Sequence, residues 1–340
     1  MSFLMHFLLI LLLTYVSNGE EDFNATVAVD GTGDYTTIAE AVANAPINSN
    51  SIYKIHIKEG VYDEIVQIPA NKKNILLIGD GADKTKITGN RSHAGGFRTL
   101  DTATVAVRGD GFVAKHLTIE NSAKPSDGMA AALMNKANHS AAYNCVFLGY
   151  QDTFHAREGF QFYRDCNIHG TVDFVFGAAK AVFQNSNFFA RLPNHTITFT
   201  AQSKNSMNQN SGYVFQNCSF TVAPEFSQRK EQVKALLGRA WGNYSTVIVM
   251  ESWLDSIIYP RGWAQWDKPA VDLITYVEFR NRGPGSNTSG RVSWTKVLAD
   301  VASARQYTVT EFIGGDNWIP TIEVPYYGGF ATNSSEFSLG

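Results

Sequence analysis

Short runs of β-branched and aromatic residues, separated by polar turns, recur along most of the chain and predict a β protein. Examples are Ile55–Ile57, Ile75–Ile78, Val105–Val107 and Leu117–Ile119. Such runs begin roughly every 10–30 residues, which is the spacing of many short strands.

Helical periodicity is confined to two places. Thr37 and Glu40 form the pattern of a capping box, and the apolar residues that follow Thr37 share one helical face: Ile38, Ala41, Val42 and Ala45. This pattern predicts a short N-terminal helix that covers an open hydrophobic end. A second short helix is predicted around Ala302–Gln306.

A motif of an aromatic residue, one or two polar residues and a Cys or Ser recurs in the middle of the chain. It is found at Tyr143–Cys145, Tyr163–Cys166, Phe183–Ser186 and Phe215–Cys218, and the Cys/Ser position advances by 21, 20 and 32 residues. A period near 20 residues with one longer excursion is typical of stacked solenoid coils. A two-sheet sandwich explains the short strands but not the repeat. We therefore expect an all-β, right-handed parallel β-helix with a short N-terminal capping helix.

Composition and the N-terminus narrow the classes of protein. The chain is 44% hydrophobic and 17% charged, which excludes wholesale disorder, and its net charge of −3 gives no broad cationic field for nucleic acid.

The nearly continuous apolar run Phe3–Val16 is too short to span a bilayer and predicts a signal peptide over residues 1–19, with a membrane anchor as the alternative. Glycosylation acceptor patterns favour a secreted, extracellular glycoprotein; they begin at Asn24, Asn90, Asn138, Asn194, Asn217, Asn243, Asn287 and Asn333.

The three cysteines test the coil period. Cys145 and Cys166 are one 21-residue step apart, so they are expected on adjacent strands about 4.8 Å apart, within reach of a disulfide bond. We predict that bridge, with two stacked free thiols as the alternative. Cys218 is expected to be a buried free thiol.

Two aspartates share the same step. Asp152 and Asp173 are also 21 residues apart, so the same register brings their carboxyls together. Neighbouring carboxylates do not ionise independently, and such a pair can divide into a proton donor and a nucleophile. Two turn aspartates are the structural alternative. Gln151 offers an amide donor to an oxyanion, and Arg239 is a candidate partner that keeps Asp173 ionised.

Three tryptophans could serve as platforms for sugar rings: Trp241, Trp263 and Trp266. Tryptophans of a solenoid can equally be buried at its edges, and the sequence leaves both options open.

Four ordered segments resemble the pectin methylesterases, the pectinesterase family of carbohydrate esterases. They are Gly60–Glu64, Leu148–Thr153, Gly170–Gly177 and Leu237–Trp241. The resemblance runs from about Val27 to Trp318 and implies the β-helix fold predicted above.

The resemblance also implies roles. Asp173 would attack the C6 methyl ester of a galacturonate, Asp152 would protonate the departing methanol and then activate water, and Gln151 would hold the oxyanion. The implied substrate contacts are Arg239, Trp241, Trp263 and Thr99, with Phe174 and Phe176 flanking the cleft. Neither a metal nor an organic cofactor is implied.

The chain departs from the family pattern at one donor. Met129 stands where the family has glutamine, and a thioether cannot donate a hydrogen bond. Loss of an essential oxyanion donor costs about 10²–10³ in rate, so we expect reduced or altered activity with Gln151 remaining. His155 and Ala240 replace a tyrosine and a proline and affect binding detail.

The resulting domain expectation is a catalytic β-helix over residues 20–340 without an N-terminal inhibitor-like pro-region. The expected partners of this monomer are pectin, which is methylesterified homogalacturonan, and a separate proteinaceous pectinesterase inhibitor. Two alternatives remain: another β-helix enzyme acting on pectin, such as a polygalacturonase or pectate lyase, and a catalytically weakened pectin-binding or regulatory protein.

Overall fold

The computed structural model describes residues 22–192, 196–265 and 270–331. The predicted signal peptide, Trp266 and the acceptors Asn194 and Asn333 lie outside these ranges.

Three parallel sheets are wound by successive coils of the chain, with strands numbered in chain order. Sheet 1 has the order β1 Ala25–Val27, β2 Tyr53–Ile57, β5 Ile75–Gly79, β8 Val113–Lys115, β11 Ser140–Tyr143, β14 Phe160–Arg164, β17 Lys180–Gln184, β20 Gly212–Gln216, β23 Thr246–Met250, β26 Thr275–Phe279 and β27 Lys296–Val297. Sheet 2 has the order β3 Gly60–Asp63, β6 Thr85–Gly89, β9 Thr118–Asn121, β12 Val146–Leu148, β15 Asn167–Gly170, β18 Asn187–Ala190, β21 Ser219–Val222 and β24 Trp253–Leu254. Sheet 3 has the order β4 Val66–Ile68, β7 Val105–Val107, β10 Leu133–Asn135, β13 Phe154–Ala156, β16 Val172–Gly177, β19 Thr196–Gln202, β22 Lys234–Ala240 and β25 Trp263–Gln265. The predicted right-handed parallel β-helix is confirmed.

The repeated motif marks the turn from sheet 1 to sheet 2. The polar residue before each Cys or Ser has a positive φ of 50–54°, at Asn144, Asp165, Asn185 and Asn217. Asn and Asp tolerate this left-handed conformation better than most residues because their short side chains can hydrogen-bond locally. The motif therefore recurs once per coil because each coil makes the same tight turn.

The interior is filled by aromatic rings stacked from coil to coil. Phe183 lies between Tyr163 and Phe215, with ring centroids 4.9 Å from each. Phe188 stacks on Phe220 at 5.0 Å in the next column. Parallel in-register strands place the same side-chain position of successive coils in contact, so an aromatic repeat in sequence becomes an aromatic column in space.

In the described ranges, the α-helices lie near the two ends, and short 3₁₀ segments also occur between the strands. The α-helices are α1 Ile38–Asn44, α2 Val301–Arg305 and α3 Val309–Ile313, and the 3₁₀ segments are Thr99–Asp101, Pro125–Asp127, Pro224–Gln232, Val271–Leu273, Gly315–Asn317 and Ile319–Ile322. Both predicted helices are confirmed: Thr37 caps α1 by accepting from the Glu40 backbone N–H, and α2 falls at the predicted place. None of the helices in the described ranges is long and apolar enough to cross a membrane.

The C-terminal segment covers the outer face of sheet 1. Phe162, Val182 and Val214 project outward from successive strands and are buried against α3 and Trp318. Both faces of sheet 1 are therefore packed, so its outer face is not open to a ligand.

The predicted disulfide bond is wrong, although the register behind it is right. Val146 pairs with Asn167, so the cysteines just before them, Cys145 and Cys166, are stacked on adjacent coils, yet both are free and buried, as is Cys218. Each Sγ is directed by its own turn: Cys145 Sγ donates to Tyr143 O at 3.4 Å and Cys166 Sγ donates to Arg164 O at 3.3 Å. The thiols therefore stack in parallel instead of converging, and burial raises the pKa of Cys145 to about 12.

Candidate active site

A groove of about 800 Å³ runs along the outer face of sheet 3. Eight of the sequence-predicted site residues line it: Thr99, Met129, Gln151, Asp152, Asp173, Phe176, Arg239 and Trp241. Residues from five coils thus meet on one face, because parallel stacking brings equivalent positions of successive coils together.

The floor of the groove is a column of paired positions. His155 pairs with Phe176, Phe176 pairs with Ala201, and the pairing of Thr200 with Gly238 places Ala201 beside Arg239. Arg239 therefore lies two strands from β16, and its side chain passes the small Ala201 to contact Asp173.

Asp173 is presented by an irregularity in β16. Val172 and Val175 pair with Thr198 and Thr200, so β16 contains one extra residue, and Asp173 has φ of 53°. A bulge of this kind redirects a side chain that a regular strand would place differently. Here it gives Asp173 a backbone conformation outside the strand region, at the edge of the groove.

Arg239 holds both oxygens of that carboxylate. Its Nε donates to Asp173 Oδ1 at 2.8 Å, and its terminal nitrogen donates to Oδ2 at 2.5 Å. Burial raises the pKa of Asp173, and the bidentate guanidinium opposes that rise. The predicted Arg239–Asp173 contact is therefore present, and it favours the ionised carboxylate that a nucleophile requires.

Asp152 lies in the turn that precedes β13, also in the left-handed region, with φ of 64°. Its backbone N–H donates to Val172 O at 3.1 Å, which fixes it beside the Asp173 turn. Burial first, and then the neighbouring Asp173 carboxylate, raise the pKa of Asp152 to about 8. The protonated form of Asp152 is therefore favoured at neutral pH, while Arg239 pairs with the neighbouring Asp173.

Three side chains surround the acidic pair on the side of the earlier coils. Gln151 and Met129 lie on neighbouring coils, where Ala130 N donates to Gln151 O at 3.1 Å. The Thr99 hydroxyl donates to Met129 Sδ at 3.2 Å. The amide of Gln151 is a hydrogen-bond donor that the groove offers to an anion, whereas the thioether of Met129 is not.

The aromatic residues divide between groove and core. Trp241 is 51% exposed, and its ring lies 6.3 Å from Phe176 at the groove wall. Two predicted contacts are wrong. Trp263 is fully buried, with its ring tilted against that of Tyr276 and its Nε1 donating to Glu278. Phe174 is fully buried against Phe199.

Several lining residues were not predicted from sequence. The groove is also lined by Arg157 and Glu158, which directly follow β13, and by Ser203 and Gln209, which lie in the segment between β19 and β20. Ser203 follows the strand that pairs with the Phe176 strand. Its position could not be predicted from the 21-residue period because Phe176 and Ala201, which pair, are 25 residues apart. His155 also lines the groove; burial lowers its pKa to about 3, so the imidazole is neutral.

Comparison with known proteins identifies the family of this chain. The pectinesterase family model matches residues 24–316. The probable pectinesterase/pectinesterase inhibitor 39 of Arabidopsis thaliana is 44% identical over 316 residues, which cover 92% of this chain and 59% of that protein. Pectinesterase 2 of Citrus sinensis is 44% identical over 310 residues, covering 90% and 60%. The chain therefore spans about three fifths of the length of these relatives.

A solved structure has the same fold. Pectin methylesterase from carrot superimposes with a TM-score of 0.89 at 39% sequence identity, covering 92% of this chain and 99% of that one. The family match covers most of this chain, and the carrot enzyme shares its parallel β-helix fold. The chain belongs to the pectinesterase family.

Proposed function

We propose that this chain hydrolyses the C6 methyl esters of galacturonate residues in pectin, acting outside the cell in the plant cell wall. The observation that carries the proposal is the acidic pair. Both carboxylate oxygens of Asp173 accept hydrogen bonds from Arg239, and the neighbouring Asp152 is buried, which favours its protonated form.

The first half of the reaction uses both carboxyls. An oxygen of Asp173 attacks the ester carbonyl carbon, and the carbonyl oxygen becomes an oxyanion beside the Gln151 amide. The bond from that carbon to the methoxy oxygen then breaks. Asp152 gives its proton to the methoxy oxygen, so methanol leaves and an acyl–Asp173 anhydride remains.

The second half regenerates the enzyme. Ionised Asp152 takes a proton from water, and the resulting hydroxide adds to the acyl carbon. The bond to Asp173 breaks, which frees Asp173 as the carboxylate and the galacturonate as its acid, while Asp152 again holds its proton. Trp241 and Phe176 line the groove where the sugar chain would lie.

The test is methanol release from highly methylated pectin by the purified secreted chain, with polymer length followed in the same samples. We expect methanol without shortening, whereas a polygalacturonase or lyase would shorten the polymer. We also expect turnover to fall above about pH 8, where Asp152 loses its proton.

The variants Asp173→Asn and Asp152→Asn should lose at least about 10³-fold in turnover with pectin binding largely kept. Asp165→Asn is the matched control, since Asp165 is also in the left-handed region but lies at a turn outside the groove. Near-parental turnover of Asp173→Asn would refute the mechanism.

Pectin binding without methanol release from the parent would support the regulatory alternative, for which Met129 is the supporting observation. The expected monomeric state and the separate inhibitor protein stay predictions.

A further inference from the structure

The Thr99 hydroxyl lies beside Met129, the residue that stands where the family pattern has a second amide donor. Its Oγ1 is 3.2 Å from Met129 Sδ, and both residues line the groove together with Gln151. A thioether is a weak acceptor, so this hydrogen bond holds the hydroxyl only loosely.

Hydrogen bonds hold the backbone around Thr99 in place, whereas its hydroxyl donates only to a thioether. Thr99 begins a 3₁₀ segment, and its carbonyl accepts from Thr102 Oγ1 at 2.9 Å. The loop before it is attached to the same coil as Met129, because His93 N donates to Met129 O at 3.0 Å. A rotation of the Thr99 side chain can therefore redirect its hydroxyl without moving the main chain.

We propose that Thr99 is a catalytic residue, donating from Oγ1 to the oxyanion in place of the donor that Met129 cannot supply. When negative charge develops on the ester oxygen, the hydroxyl exchanges a thioether acceptor for an anion, and charge-assisted hydrogen bonds are roughly twice as strong as neutral ones. The gain arises in the transition state, so it acts on turnover. This inference rests on the proposed esterase function.

A double-mutant cycle tests it. In the parent, Thr99→Val removes the hydroxyl at nearly constant shape and should lower kcat about 10²-fold with KM changed less than about 3-fold. In the Met129→Gln background the amide replaces the hydroxyl, so the same change should cost less than about 5-fold in kcat. Thr99→Ser keeps the hydroxyl and should retain most of the parental turnover.

The outcomes separate the two hypotheses. Equal fold losses for Thr99→Val in both backgrounds, or a loss confined to KM, would overturn the role of Thr99 and leave the esterase assignment intact. Absence of methanol release from both the parent and Met129→Gln would refute the proposed function and this inference with it. Melting temperatures of all variants verify folding, and Thr99→Ala takes the place of Thr99→Val if the valine variant does not fold.

Discussion

At the scale of single residues, the two aspartates of the groove are in environments that disfavour folding. Asp152 and Asp173 both have backbone conformations that few residues populate, and both are buried carboxyls. Aspartate tolerates the left-handed region better than most residues, but a buried carboxyl with this backbone conformation still persists only where the surrounding structure enforces it. The bulge of β16 and the bidentate Arg239 provide that enforcement for Asp173.

The proton on Asp152 makes stability depend on pH. At pH 3 this carboxyl is largely protonated in both folded and unfolded chains. As the pH rises past 3.8 the unfolded chain ionises, whereas the folded chain keeps its proton up to about 8, so the parent loses stability between these values. Asparagine does not ionise and avoids this loss.

Asp152→Asn should therefore be more stable than the parent by on the order of a few kcal/mol at pH 7, and by little at pH 3.5. Urea unfolding at the two pH values measures the difference, with Asp165→Asn as the control that should change little at either. A pH-independent difference for Asp152→Asn would contradict the raised pKa.

At the scale of elements, columns of interior side chains connect successive coils. Phe188 and Phe189 are neighbours on β18 and point to opposite faces. Phe188 is fully buried and contacts Phe183, Phe215 and Phe220, whereas Phe189 is half-buried on the outer face beside His169.

Phe188→Ala should cost about 3–5 kcal/mol in the free energy of unfolding because it leaves a cavity in a packed column. Phe189→Ala is the matched control on the same strand and should cost less than about 1.5 kcal/mol. Equilibrium denaturation of both variants provides the comparison. Similar losses would mean that the interior column does not dominate the stability of the coils.

At the scale of the whole molecule, charge governs how the chain moves in its proposed substrate. A net charge of −3 offers no general attraction to an anionic polysaccharide. Little protein should be retained on de-esterified pectin at low salt, and high salt should release little more.

A charge-reversed variant gives the comparison for this prediction. Glu225 and Glu231 are exposed in the Pro224–Gln232 segment, outside the groove, and lysine at both positions should increase salt-sensitive retention. Strong salt-reversible retention of the parent would contradict the prediction and point to a local cationic patch.

Spacing along the chain is sufficient to predict the coil register and, with it, the proximity of the two aspartates. The 21-residue step of the motif predicted that Asp152 and Asp173 are neighbours, and the structure pairs Phe154 with Val175 at that same step. This was predictable because stacking of parallel coils converts a fixed spacing along the chain into adjacency in space. The helix α1 was predictable for a similar reason, since its cap and apolar face lie within one short segment.

The direction in which each side chain points depends on packing between coils and could not be predicted from spacing. Trp263 and Phe174 are buried instead of lining the groove, and Cys145 and Cys166 are stacked but unbridged, because turns and the β16 bulge rotate each side chain independently of coil spacing. The contact between Thr99 and Met129 likewise depends on a loop whose path no period encodes. A repeat fixes which coil a residue occupies, whereas local backbone conformation and packing fix which way it faces.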